Sequence, residues 1–406
     1  MQDVQKASSN SSQNWSMTGK GVTALCFVLN MFDGVNIFVL TYLSPTLQKL
    51  YGVGTEAFSL AFSAGLAGMA VGGLLVAPQA DRLGRRPVLL AALLLMGAAM
   101  LASAFANDLI SLSLARFFVG VGIGTVLAGI SALSAAFAPE RFRNMAVGLP
   151  QAGYPIGAMI AGFLTAWALP IFGWQMVFLA AGLVTLALLP LCYFLMPEAP
   201  EGRSAVRYSL HQAIAGPRLG TSIRLWVCTI SGFMALYFIA SWITKLAIEA
   251  GLPHTQAIIA SACYNGGAFA GTLLISFLAV RFDIRRVLAV MLVLASGLFL
   301  VFGGVHMPVT GVLFTSFLIG VTLQGGVNGV YPVTAGAYPP EARATGLGWA
   351  MGIGRAGALM GPVIGGMALG QGLPLVAVFG IFCAPMLVDA FMANQVHPYR
   401  EREQQA

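Results

Sequence analysis

Short bursts of charge cut this chain into long apolar runs, and that alternation limits its fold more than any other feature. A helix needs ~20 apolar residues to cross a hydrocarbon core ~30 Å thick. Reading between charged or Pro/Gly breaks predicts twelve spans, near 21–43, 57–79, 88–106, 109–132, 145–167, 173–195, 223–247, 255–279, 287–304, 308–331, 344–368 and 372–393. The composition agrees: 58% of residues are hydrophobic and 9% charged, with 49 glycines and a mean hydropathy of +0.84. A soluble domain needs far more charge on its surface. The expected class is therefore an all-α integral membrane protein.

The longest polar stretch, from Pro197 to Arg224, divides the spans into two groups of six. This predicts a tail over 1–19, a six-helix bundle over 20–196, a linker over 197–222, a second six-helix bundle over 223–394 and a tail over 395–406. Basic residues are sorted by side. Lys6, Lys20, Arg82, Arg85, Arg86, Arg141, Arg143, Arg203, Arg207, Arg218, Arg224, Arg281, Arg285, Arg286, Arg343, Arg400 and Arg402 fall in the tails and the even-to-odd connections. The other face holds Lys49, with Lys245 near the end of the seventh span. Positive charge marks the cytoplasmic side, so both termini are expected there. The polar, Ser/Asn-rich start has no short apolar core before a cleavage site and reads as a cytoplasmic tail rather than a signal peptide.

Between Gly72 and Pro87 the chain reads GGLLVAPQADRLGRRP, a charged connection between the second and third spans. Its Asp81, Arg82, Gly84, Arg85 and Arg86 match the helix 2–3 loop motif of the major facilitator superfamily. The resemblance implies a transporter whose loop latches helix ends when the inner gate is shut. The two groups of spans also echo each other. Arg116-Phe-Phe-Val-Gly-Val aligns with Ser316-Phe-Leu-Ile-Gly-Val, Pro139-Glu140 and Arg143 with Pro340-Glu341 and Arg343, and Arg82 with Arg85-Arg86 matches Arg281 with Arg285-Arg286. A parallel repeat of two six-helix bundles suits that fold, whose substrate site lies near mid-membrane. Glycines recur every four residues at Gly68/Gly72, Gly120/Gly124, Gly153/Gly157, Gly267/Gly271 and Gly357/Gly361/Gly365, a spacing that lets helices approach closely in lipid.

Other chemistries find little support. The net charge of +7 is scattered among apolar runs and forms no basic face with interleaved aromatics, so no nucleic-acid partner is expected. Cys26, Cys192, Cys228, Cys263 and Cys383 lie far apart in apolar runs, which argues against a metal site or a disulfide framework. No nucleophile–base constellation suggests an enzyme, no cofactor is implied, and no added output domain suggests a sensor. The histidines His211, His254, His306 and His397 fall in connections or at span ends.

Ionisable groups inside the spans are functional candidates by default, because burying charge in hydrocarbon is costly. Asp33 lies thirteen residues after Lys20, ~20 Å along the first helix at 1.5 Å per residue. Arg116 lies eight residues after Asp108 in the fourth span, and Arg355 twelve after Arg343 in the eleventh, ~12 and ~18 Å deep. Two arginines and one aspartate leave a positive interior, and a guanidinium matches a carboxylate in bidentate fashion. An organic anion would supply the missing charge, held by Arg116 or Arg355. Burial favours a protonated carboxyl and a nearby arginine an ionised one, so Asp33 is the candidate proton carrier. A permanent Asp33–Arg116 pair is the structural alternative. Asn36 shares the face of Asp33, while Gln151, Tyr154, Tyr237, Trp242, Asn265, Gln324 and Asn328 are candidate cavity residues. Trp242 and Lys245 also suit interface anchors, and Glu249 and Asp389 are expected near hydrated span ends.

Asp33-Gly34-Val35-Asn36, ARFFVGVGIG from Ala115 and GIGRAGALMGPVIGG from Gly352, taken with the loop, resemble the aromatic acid:H⁺ symporter family. The resemblance covers nearly the whole chain. It implies proton-coupled import of benzoate-type, hydroxybenzoate, phenylpropionate or muconate acids across the bacterial inner membrane by a protein acting as a monomer among lipids. The family pattern has a second aspartate where this chain has Asn36, so coupling must rest on Asp33 or elsewhere. The alternatives are uptake of a non-aromatic dicarboxylate and drug:H⁺ antiport. The latter is disfavoured because the fifth span reads GYPIGAMIAG, while GPVIGG lies in the eleventh.

Overall fold

The computed structural model describes residues 16–139, 143–197, 219–338 and 343–396. Among them every regular element is helical. The labelled helices are α1 (Met17–Tyr51), α2 (Thr55–Val71), α3 (Arg85–Ser103), α4 (Leu109–Phe137), α5 (Arg143–Gln151), α6 (Gly153–Leu195), α7 (Leu219–Glu249), α8 (His254–Leu278), α9 (Ile284–Gly304), α10 (Val309–Ile319), α11 (Gly325–Ala337), α12 (Arg343–Gly370) and α13 (Leu375–Asn394). Ten helical stretches among the described residues are long and apolar enough to cross a membrane. One of them, Gly148–Leu195, is broken at Gly173, whose φ of 80° and ψ of 173° are far from helical.

The connection after α2 is less of a loop than the sequence suggests. A π turn (Gly72–Val76), a 3₁₀ turn (Ala77–Gln79) and a further helical turn (Ala80–Leu83) carry the helix onward to Gly84. Gly84 breaks it at φ 92°, a conformation glycine adopts at little cost, and α3 begins directly after. A second π turn (Gly320–Gln324) joins α10 to α11.

Large apolar side chains such as Leu74, Phe194, Phe277 and Phe314 are exposed. An exterior of this kind suits lipid and not water.

Helix contacts divide the chain into two compact units. The first takes the described residues within Met1–Val39, Ala67–Ala161 and Ala168–Arg203; the second takes those within Leu40–Leu66, Gly162–Trp167 and Ser204–Ala406. The division does not fall only at the polar stretch between the spans. Thr41 donates to the Ala240 carbonyl at 2.9 Å, the His254 ring meets the Tyr42 carbonyl at 3.1 Å, and Phe62 packs edge-on against Trp242 at 5.0 Å, which ties 40–66 to the second unit.

Small residues set the packing inside each unit, as their spacing suggests. Gly68 and Gly72 lie against the backbone of Phe117 and Val121, and Gly157 against that of Met31. In the second unit Gly267 and Gly271 lie against Phe317 and Val321, and Gly357 against Ile230. The internal repeat is thus written in backbone contacts as well as in sequence.

Candidate functional site

In the first unit the interior polar residues gather on α1. Asp33 is 1% exposed, and neither carboxyl oxygen has a hydrogen-bond partner among the described residues. Asn36, three residues on, donates its amide to the Thr185 hydroxyl at 3.0 Å. Its backbone carbonyl accepts the Arg116 guanidinium at 2.6 Å, using the lone pair that the helix leaves over. Arg116 also meets the Met100 sulfur at 3.2 Å, and its Nε has no acceptor among the described residues. The permanent Asp33–Arg116 pair considered from sequence is therefore not formed: the arginine holds the α1 backbone instead of the carboxylate.

The glycine of the Asp33-Gly34 pair has a structural reason. A methyl on Gly34 would lie 2.9 Å from the Tyr154 carbonyl carbon and 3.1 Å from the Ala158 nitrogen, so α1 and α6 touch backbone to backbone. Tyr154 also presents its ring to Phe38, with centroids 5.9 Å apart. Gln151 ends α5 and is exposed, and its side-chain oxygen lies 3.4 Å from the Asn30 amide. Asn30 donates to the Pro150 carbonyl at 2.8 Å. Sequence reasoning missed Asn30 and Thr185. Asn30 precedes Asp33 by three residues, one helical turn, which is the signal that could have found it.

In the second unit Arg355 is half-buried on α12 and donates to the Tyr237 hydroxyl at 3.1 Å. The Phe233 ring lies 6.0 Å from its guanidinium carbon. Tyr331 stands within electrostatic range of both Arg355 and Tyr237, and Tyr264 within range of Tyr237. Phe233, Tyr264 and Tyr331 were not singled out from sequence, because aromatic side chains on a membrane helix usually mark packing. On α8 Asn265 is buried and bonded back to the Ser261 carbonyl of its own helix. Gln324 donates to Asn328 at 3.1 Å and Asn328 to Thr272 at 2.9 Å, a polar chain that starts in the Gly320–Gln324 π turn.

Two expectations are corrected. Trp242 is no interface anchor: it is 0% exposed, donates to the Pro362 carbonyl at 2.9 Å and is walled by Phe62. Asp389 is not hydrated: it too is 0% exposed, because α7 and α9 pack over α13. Glu249 does reach the exterior and pairs with Lys245 at 2.9 Å.

The charged connection works on helix ends. Arg85 donates to the Ala132 carbonyl at 3.1 Å. Arg86 donates to the Tyr193 carbonyl and lies 4.6 Å over the Tyr193 ring. Cations suit the exposed carbonyls at helix C-termini. Arg82 is exposed, and the Asp81 side chain lies outside the described residues. The second unit repeats the device: Arg285 donates to the Val396 carbonyl at 2.8 Å and to Asp283, whose carboxyl these hydrogen bonds hold below the usual carboxylate range. The tail and linker charges Lys6, Arg203, Arg207, Arg218, Arg400 and Arg402 lie outside the described residues, as do Glu140, Arg141, Pro340 and Glu341 and the side chains of Arg143 and Arg343.

Comparison with known proteins places this arrangement. The family model described as Major Facilitator Superfamily matches residues 24–252 and 225–405. A gallate transporter of Pseudomonas putida is 30% identical, over 91% of this chain and 90% of the relative. A 3-(3-hydroxy-phenyl)propionate transporter of Escherichia coli is 32% identical, over 91% and 93%. A 4-hydroxybenzoate transporter of Acinetobacter baylyi is 29% identical, over 91% and 89%. Among solved structures, a bacterial homologue of the human lysosomal transporter Spinster superposes with a TM-score of 0.79 at 16% identity, covering 94% of this chain and 98% of that one. A D-xylose–proton symporter does so with a TM-score of 0.77 at 16% identity, covering 93% and 98%. The chain belongs to the major facilitator superfamily and, within it, to the aromatic acid:H⁺ symporter family of transporters.

Proposed function

We propose that the protein imports an aromatic carboxylate of the benzoate or hydroxybenzoate type together with protons, by alternating access. The observation that carries the reading is the surroundings of Arg355. A half-buried guanidinium stands with the Tyr237 hydroxyl at 3.1 Å and the Phe233 ring beside it. A carboxylate on an aromatic ring matches both halves of that arrangement, charge to guanidinium and ring to ring. The names of the relatives, which specify gallate, 4-hydroxybenzoate and benzoate, favour the same class. Asp33 is the proton carrier in this reading. A buried carboxyl with no cation and no donor is stable as the neutral acid, and it must meet water to exchange its proton. Arg116 holds α1, and through it Asp33, in register.

The chain crosses the bacterial inner membrane twelve times, with both termini in the cytoplasm, and works as a monomer. Ten candidate spans become twelve when Gly148–Leu195 is divided at Gly173 and α12, which is 28 residues long, is counted despite Arg355. The arginines of the charged connections lie on the cytoplasmic side in this topology, where positive charge is favoured. Their bonds to the ends of α4, α6 and α13 act as the latches of the inner gate.

A thermal-shift screen of the purified protein against aromatic acids, dicarboxylates, organic cations and neutral sugars tests the substrate class. A ligand at 100 times its Kd adds ~2.7 kcal/mol to apparent stability. Stabilisation by hydroxybenzoates, weakened in Arg355→Ala, is the expected result. Stabilisation by cations or sugars alone overturns the proposal.

A further inference from the structure

Asp389 on α13 is a buried carboxyl for which the transport cycle above has no use. It is 0% exposed, and no N–H or O–H donor among the described residues reaches either carboxyl oxygen. Two features of α7 shape its surroundings. Gly232 allows the carboxyl to rest on the helix, since a methyl there would lie 2.7 Å from Asp389 Oδ2. One turn earlier the Cys228 thiol faces Asp389 and donates to its backbone carbonyl at 3.7 Å. Val327 of α11 closes the same point, 3.3 Å from where a Gly232 methyl would stand. From α9, Phe299 and Phe302 pack on Phe379, and the Ser296 carbonyl accepts the Cys383 thiol at 3.5 Å. The ionisable side chain set against the carboxyl, among the described residues, is Cys228. An ionised carboxylate would find there no cation and no strong donor to offset its lost hydration, so the neutral acid fits the site.

The helix that covers Asp389 also serves Arg355. Five residues beyond Gly232, α7 presents Tyr237 to the Arg355 guanidinium. On the same stretch Thr229 and Ile230 meet Gly354 and Gly357 of α12. A movement of α7 itself that displaces Tyr237 from Arg355 therefore also moves Gly232 and Cys228, which cover Asp389.

We propose that Asp389 is a second proton-binding site. It keeps its proton while α7 is seated on it. When α7 withdraws, the O–H bond breaks and the proton passes to water, leaving the carboxylate hydrated. This rests on the proton-coupled reading of the transporter, but the test separates the two. Infrared difference spectra of lipid-reconstituted protein are recorded in an Asp33→Asn background, with and without Asp389→Asn. A protonated-carboxyl C=O stretch at neutral pH that is lost in Asp389→Asn, and that responds to 4-hydroxybenzoate or to raised pH, is the expected result. No such band, or a band that ignores both, overturns the proposal. Gly232→Ala, which presses a methyl onto the carboxyl, is expected to displace the pH at which the band is lost, and an unmoved titration counts against the site. In proteoliposomes the H⁺:substrate ratio should fall by one in Asp389→Asn with substrate exchange retained, and an unchanged, non-zero ratio again overturns it. A wild-type ratio of zero would sink the coupled reading, while the infrared titration still decides whether Asp389 exchanges a proton.

Discussion

Substituting Gly34 by alanine tests whether backbone contact, and not side-chain chemistry, holds α1 in place beside Asp33. The new methyl would sit 2.9 Å from the Tyr154 carbonyl carbon and 3.1 Å from the Ala158 nitrogen, and closer still to the Tyr154 oxygen. Unstrained carbon contacts need ~3.5–4.0 Å, so α1 and α6 must part by about 1 Å. Overpacking of this kind costs ~1–3 kcal/mol. Against that stands the helix-propensity gain of alanine over glycine, ~0.8–1.0 kcal/mol. Gly297→Ala isolates the two effects, since Gly297 is exposed on α9 and a methyl there meets nothing within 4 Å. The propensity gain is common to both variants, so the difference between them is the packing cost alone, ~1–3 kcal/mol. Unfolding followed by intrinsic fluorescence in one detergent, with heat or denaturant, measures the pair. If both variants shift equally, the close approach of α1 and α6 is wrong, and so is the placement of Asp33 that depends on it.

Three further outcomes follow from single contacts. Thr185→Val removes the hydroxyl that accepts from Asn36 at 3.0 Å and leaves a buried amide donor unpaired, so a loss of ~1–3 kcal/mol is expected in the same unfolding assay. Trp242→Phe keeps the ring on Phe62 but drops the indole bond to the Pro362 carbonyl, for ~0.5–1.5 kcal/mol. Arg285 holds the Asp283 carboxyl below its usual range. A carboxyl lowered in the folded state contributes stability above its unfolded value of ~3.9, and that contribution disappears as pH falls through the lower folded value. Because the pair is close to solvent, screening keeps it to less than ~1 kcal/mol. Comparing wild type with Asp283→Asn from pH 7 downward should show the gap between their stabilities begin to narrow below ~3.9.

The fold was legible in the sequence because lipid leaves few choices. Long apolar runs must become helices, and the four-residue glycine spacing announced contacts that recur in both units, Gly68 on Phe117 and Gly267 on Phe317. The site was legible only in part. Asp33, Asn36, Arg116 and Arg355 stand out as polar groups in apolar runs, but sequence depth along one helix says nothing of which neighbour a side chain meets. Arg116 reaches the Asn36 carbonyl and not Asp33, a choice made by how α1 and α4 pack. Asp389 and Trp242 were misplaced for the same reason: both lie near span ends in sequence, yet both are covered by neighbouring helices. Thr185 and Tyr331 carry no signal of their own and gain meaning from Asn36 and Arg355.

The central claim is that Asp33 carries a proton coupled to an aromatic carboxylate. Uptake of radiolabelled 4-hydroxybenzoate into proteoliposomes, with and without an imposed inward proton gradient, tests it most directly. Wild type should accumulate the acid only with the gradient. Asp33→Asn should keep substrate exchange across the membrane and accumulate less of the acid than wild type at the same gradient. Full gradient-driven accumulation by Asp33→Asn would contradict the account.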